Sequence, residues 1–152
     1  MQNNVDAERV WFRLLRLNTR IRLAMTTRLK QLNLSAAQCD VLTTLTEAEG
    51  IRQQELAQRL YVTKGNISGL VDRLVDSGLV ERRSLNGDRR SHAIFLTGEG
   101  QRMAQEGIAA QRDFVARSLG RMEGGKLHEL ETLLVSARNL VREAAGSGEK
   151  RG

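Results

Sequence analysis

Gln54-Glu55-Leu56-Ala57-Gln58-Arg59-Leu60-Tyr61-Val62-Thr63-Lys64-Gly65-Asn66-Ile67-Ser68-Gly69-Leu70-Val71 is the stretch that decides the fold. Leu56, Ala57 and Leu60 give one short helix an apolar side, and Ile67, Leu70, Val71 and Leu74 do the same for a second. Val62 plugs the turn between them, and Thr63 is a residue type that caps a helix start. Two helices packed this way leave the second with an outward face of Lys64, Gly65, Ser68, Gly69, Asp72 and Arg73, an arrangement that lets a helix enter the major groove of DNA. Gly65 and Gly69 each cost a helix roughly 1 kcal/mol relative to alanine, yet they sit four apart on that face. They either let the helix backbone approach DNA closely or let another helix pack there. Thr63, Lys64, Asn66 and Ser68 suit phosphate or base contacts, which favours the groove.

Working outward, Gly78 ends the second helix as a glycine just past a helix should. Leu79–Ser84 and His92–Leu96 then read as strands around Asn86-Gly87, a dipeptide of tight hairpins. The tip, Asn86-Gly87-Asp88-Arg89-Arg90, follows Glu81-Arg82-Arg83. A charged tip alone is a solvated turn, but directly after a helix-turn-helix it reads as a wing. Arg82, Arg89 and Arg90 are its candidate DNA contacts, because arginine suits the negative potential of a narrow minor groove. Asp88 would be repelled by phosphate and is better placed to orient an arginine.

Helical periodicity continues on both sides. Val10, Leu14, Leu17, Ile21, Ala24 and Met25 put one stripe on a helix from about Val5 to Leu32. Ser35-Ala36-Ala37-Gln38 is a capping box opening a second helix to about Leu45. Glu49-Gly50-Ile51 breaks the chain, with room for one short strand, before a helix from Arg52 to Leu60. Thr97 caps a fifth helix to about Leu119, and a sixth carries Leu127, Leu130, Leu134, Ala137, Val141 and Ala144. The tail from Gly146 is low in complexity and expected to fray. The expected fold is mainly α with a small β-hairpin: a single domain over 1–152, with a winged helix-turn-helix at 35–97 flanked by dimerisation helices at 5–34 and 98–145. The two outer stripes need burial that so small a winged unit cannot supply, and a two-fold homodimer is the economical answer. Two recognition helices about 34 Å apart would then read a palindromic operator on double-stranded DNA.

Composition fits this reading and narrows the alternatives. The 152 residues carry 24 Lys+Arg against 18 Asp+Glu, a net charge of +6 that favours an anionic partner. Only one cysteine is present, so no internal disulfide framework or multi-thiolate metal site is expected. No run approaches the roughly 18 apolar residues that span a membrane, and no signal peptide precedes the first helix, so a cytoplasmic location is expected. His92 and His128 stand alone, with no phosphate loop, dinucleotide fingerprint or metal spacing, so no enzyme, cofactor or metal is expected.

Taken together, Leu34-Ser35-Ala36-Ala37-Gln38-Cys39-Asp40-Val41-Leu42, Glu55-Leu56-Ala57, Val62-Thr63-Lys64-Gly65-Asn66-Ile67-Ser68, Leu70-Val71-Asp72-Arg73-Leu74, Gly78-Leu79-Val80-Glu81-Arg82 and Asp88-Arg89-Arg90 through Leu96-Thr97 resemble the MarR family of bacterial regulators. The resemblance covers nearly the whole chain. It implies a homodimer in which the first and last two helices interlock, and a repressor-type regulator released by a small ligand or by oxidation. Asp88 and Arg90 match the family's D-x-R wing motif, which gives Arg90 the minor-groove role.

The first helix holds a second pattern. Arg9, Arg13, Arg16 and Arg20 fall in a strip about 60° wide at 3.6 residues per turn, and no acidic residue lies between Arg9 and Leu34. Three uses stand open: a solvated face, charge near DNA phosphates, or a grip on an anionic ligand through the guanidinium fork. In the family, a crevice between dimer helices and reading head takes small, often aromatic, acidic effectors. Trp11, Arg16, Arg20, Cys39, Asp40 and His92 are the candidates here, Trp11 as a stacking face or a core residue and His92 as a ligand contact or a wing-base residue. The aspartate after the Gln-x motif resembles the urate-responsive branch, although this chain lacks the extra N-terminal helix of some of its members. Two alternatives remain: redox sensing through Cys39, which needs an accessible thiol of lowered pKa, and an architectural DNA-binding protein with no effector and a steep salt dependence.

Overall fold

The computed structural model describes residues 5–85 and 87–148, with the side chains of 88–90 and 147 outside the description. The chain divides into two compact units, residues 1–112 and 113–152.

In the first unit, α1 (Ala7–Lys30) starts at Asp6, whose carboxylate accepts the Glu8 N–H at 3.0 Å. It is two residues shorter at each end than the apolar pattern suggests, because a polar cap sits at one end and a left-handed turn at Asn33 closes the other. The capping box forms at the start of α2 (Ala36–Glu47): Gln38 N–H donates to Ser35 Oγ at 3.1 Å, and Ser35 N–H donates to Gln38 Oε1 at 2.9 Å. α2 sends Cys39, Val41, Leu42 and Leu45 into the core. α3 (Gln53–Arg59) adds Leu56 and Ala57, and α4 (Lys64–Asp76) adds Ile67, Val71 and Leu74. Val62 packs against this cluster and fills the α3–α4 turn.

β1 (Val80–Leu85) and β2 (Asp88–Leu96) pair antiparallel from Val80↔Leu96 to Ser84↔His92, with an irregularity at Ser84/Leu85. β2 begins four residues before the apolar run suggests. Its first turn of sequence is charged, so no period-2 pattern marks it. The break at 49–51 does supply a short edge: Gly50 N–H donates to Ile94 O at 2.8 Å, Ile94 N–H to Ile51 O at 3.0 Å, and Arg52 bridges Ala93.

Thr97 ties three elements together at the foot of the wing. Its hydroxyl donates to Gly78 O at 2.6 Å and accepts the Gly100 N–H at 3.0 Å, while its own N–H donates to Leu79 O at 3.1 Å. α5 (Gly98–Arg117) starts there and runs so close to β1 that a Cβ on Gly100 would sit 1.8 Å from Leu79 O. Further along, Gly107 leaves room for the Cys39 thiol, 2.7 Å from where a Cβ would be. α5 stops at Arg117 rather than Leu119, and a 3-10 turn at Leu119–Arg121 follows. In the second unit α6 (Gly124–Gly148) is one continuous helix. It continues through Gly146, where the composition suggests fraying; residues 149–152 lie outside the described part.

The two stripes end differently from the core elements. On α1, Val10, Trp11, Leu14 and Leu17 are exposed, and only Leu29 is buried. On α6, Leu127, Leu133, Leu134, Leu140 and Val141 are exposed.

Candidate nucleic-acid interface

α4 owes its placement to its buried side. Ile67, Val71 and Leu74 are at most 1% exposed, so the helix is held on one face and presents the other. Thr63 caps it, its hydroxyl accepting the Asn66 N–H at 3.3 Å. Thr63, Lys64, Gly65, Asn66, Asp72 and Arg73 are exposed, with Ser68 and Gly69 half-buried beside them. A Cβ added at Gly65 or Gly69 would meet nothing within 4 Å. Among the described residues no helix packs on these glycines, so this face of α4 is open. The helix start also brings unpaired backbone N–H groups and the positive end of the helix dipole to this face, a combination that suits phosphate.

Arg82 is not a free wing cation. Its Nε donates to Gln53 Oε1 at 3.1 Å, one terminal nitrogen donates to Ser68 O at 3.3 Å, and the other pairs with Asp72 at 2.6 Å. Its guanidinium therefore braces β1 against both helices of the helix-turn-helix. Asp72, which its spacing puts on the outward face, is occupied by that brace. Arg83 is similarly engaged, paired with Glu81 at 2.5 Å and lying 4.0 Å over the Phe95 ring. The side chains of Asp88, Arg89 and Arg90 lie outside the described residues; the backbone at 88–90 belongs to β2.

A cleft of about 390 Å³ opens where α3, α4 and β2 meet, lined by Arg52, Gln53, Gln54, Lys64, Ile67, Ser91 and His92. Arg52 occupies the N-cap position of α3 but makes no side-chain cap, which leaves its guanidinium exposed toward solvent. The Nδ1 of His92 is buried with no hydrogen-bond partner among the described residues. Arg52 and Ser91 carry no sequence signal of their own; the one available clue is an arginine where a capping side chain is usual.

The candidate effector residues do not gather in one place. His92 lies in the cleft beside Lys64, whose lining includes none of the other five candidates. Trp11, Arg16 and Arg20 are exposed on α1. Asp40 is exposed on α2, and Arg22, rather than Arg16 or Arg20, is the α1 arginine that acts on it. Partial desolvation pushes the Asp40 carboxyl above its usual range, and the Arg22 charge pulls it part of the way back. Cys39 is buried at 7% exposure, and burial, then the neighbouring Asp40 charge, push its thiol up. Both effects run against the thiolate that redox sensing requires. Among the described residues no three His, Cys, Asp or Glu side chains form a metal-holding group, and no helix is long and apolar enough to cross a membrane.

Comparison with known proteins agrees with this geometry. The MarR family model matches residues 34–92, the span from the start of α2 into β2. An uncharacterized HTH-type transcriptional regulator of Bacillus cereus is 32% identical over 136 residues, covering 87% of this chain and 90% of that protein. Among solved structures, wild-type MarR from Escherichia coli is 25% identical with a TM-score of 0.73, covering 90% of this chain and 98% of that one. FabT of Streptococcus pneumoniae, solved in complex with DNA, superposes with a TM-score of 0.80 at 16% identity, over 91% of this chain and 99% of that one. A capped recognition-type helix, an antiparallel wing and a relative matched over most of both lengths converge: the chain belongs to the MarR family of DNA-binding transcriptional regulators.

Proposed function

We propose that this protein is a dimeric, sequence-specific repressor that places α4 in the major groove of a palindromic operator and releases DNA when a small aromatic acid-type effector binds. The exposed face of α4 carries the reading. Its glycines face open space, its start offers backbone N–H groups, and Thr63, Lys64, Asn66, Ser68 and Arg73 surround them. Gly65 and Gly69 serve close approach, and Lys64 neutralises a phosphate. Arg89 and Arg90 at the wing tip take the adjacent minor groove, oriented by Asp88. Arg82 acts through Ser68 and Asp72, holding wing and recognition helix in register.

The dimer rests on the exposed apolar residues of α1 and α6, the regions 5–34 and 98–145 assigned to dimerisation. FabT, whose fold this chain shares, was solved in complex with DNA, which supports DNA binding by a chain of this fold. The effector reading rests on the basic, acid-free stretch from Arg9 to Leu34 and on the Arg22–Asp40 neighbourhood. Selection of duplexes from a random library by the purified protein tests the core of the proposal. Enrichment of a palindrome with half-sites about one helical turn apart is expected. Uniform binding with no enriched sequence would instead mark an architectural protein. An aromatic carboxylate panel scored by thermal shift and by loss of the selected duplex tests the effector; a panel that moves neither overturns that part.

A further inference from the structure

Three helices of the first unit end in one backbone device. After α1, Leu34 N–H donates to Leu29 O at 3.0 Å and Asn33 N–H to Lys30 O at 3.0 Å. After α4, Leu79 N–H donates to Leu74 O at 2.9 Å and Gly78 N–H to Val75 O at 2.9 Å. After α3, Val62 N–H donates to Ala57 O at 3.0 Å and Tyr61 N–H to Gln58 O at 3.3 Å. In each case the residue just past the helix adopts the left-handed conformation: Asn33 at φ 56°, Gly78 at φ 71° and Tyr61 at φ 54°. Glycine and asparagine adopt it at least cost. Tyrosine does not, and Tyr61 is the bulky exception.

Tyr61 is 97% exposed, so its ring gains no burial. A strained residue whose side chain serves no packing is a functional candidate by physical argument. Its position says which function. It stands two residues before Thr63, the cap of α4, and three before Lys64, at the helix end that favours phosphate. A tyrosine hydroxyl is among the neutral donors that proteins use on DNA backbones.

We infer that Tyr61 is a DNA-backbone contact, its phenolic hydroxyl donating a hydrogen bond to a phosphate oxygen beside the start of α4. The inference rests on α4 being the recognition helix. The contact fixes the depth and angle at which the helix start meets the duplex, and it is indifferent to base sequence. Because it removes no charge, it adds nothing to the salt dependence of binding.

The test measures affinity for a duplex selected from a random library by the wild-type protein, at several salt concentrations, together with Tm. Tyr61→Phe is expected to weaken binding about tenfold with Tm and salt slope unchanged. Tyr61→Gly is expected to weaken binding as much while Tm rises by about 2–4 °C, so that affinity and stability move in opposite directions. Lys64→Ala is the reference for the recognition helix, weakening binding and lowering the salt slope by about 1. If Lys64→Ala has these effects and Tyr61→Phe binds like the wild type, the Tyr61 contact is wrong and α4 keeps its role. If neither variant weakens binding, both assignments fall.

Discussion

Gly69 and Gly100 are the same residue in opposite surroundings. Gly69 faces open space in the middle of α4, whereas a Cβ on Gly100 would enter the Leu79 carbonyl. Gly69→Ala should therefore raise stability by about 0.5–1 kcal/mol while weakening DNA binding, and Gly100→Ala should lower stability by at least about 3 kcal/mol. Urea unfolding of both variants, with a DNA titration of the first, checks this; a stability loss at Gly69 would mean that something packs on it. Asp40 supplies a pH dependence of definite sign. Its carboxyl is raised in the folded protein, so the unfolded chain ionises first as pH rises. Whatever stability the protonated Asp40 contributes is present at low pH and is lost as pH rises from about the unfolded value of 3.8 through the folded one. Relative to the parent, Asp40→Asn should gain stability across that window, measured by Tm at pH 3 and pH 7; an equal difference at both would remove the effect. The sequence shows that an arginine-rich helix and Asp40 exist, but not that Arg22 is the arginine that acts, since a 3.6-residue period ranks positions on a helix without saying which neighbour they face.

At the scale of elements, the brace between wing and helices gives a separable prediction. Arg82→Ala should cost about 1–2 kcal/mol and weaken DNA binding without changing the slope of affinity against salt, because the guanidinium is engaged by Gln53, Ser68 and Asp72. Arg82→Lys should recover little, since an ammonium cannot reproduce a fork bonded to Gln53, Ser68 and Asp72. A fall in salt slope for Arg82→Ala would return Arg82 to the DNA contacts. The helices were readable from their apolar periods and caps: Ser35 and Thr63 both cap as their neighbours suggest. Arg82 was not, because a charged residue near a hairpin tip reads as solvent-facing unless its partners, Gln53 and Ser68, are known to lie under it. The early start of β2 escaped for the same reason, its charged residues carrying no alternation.

For the whole molecule, the exposed apolar residues of α1 and α6 make the proposed dimer testable. A dimer formed through them should show a Tm that rises with protein concentration and should sediment as two chains at micromolar concentration. Leu17→Glu, on the stripe and 47% exposed in the single chain, should yield a folded monomer that loses the palindrome but keeps weak binding to any duplex. A dimeric Leu17→Glu variant would move the interface elsewhere. The reading head was legible from 18 consecutive residues because its two helices are amphipathic and its turn is stereotyped; a ligand crevice is assembled from distant segments and leaves no such period.

The knot at Thr97 has a mechanical corollary. One side chain and its own amide hold the end of α4, the base of β1 and the first turn of α5, and Gly100 leaves no slack between α5 and the strand. A tilt of the first turn of α5 would therefore press on the Leu79 carbonyl and strain the bonds that Thr97 makes to Gly78 and Leu79, at the hinge between reading helix and wing.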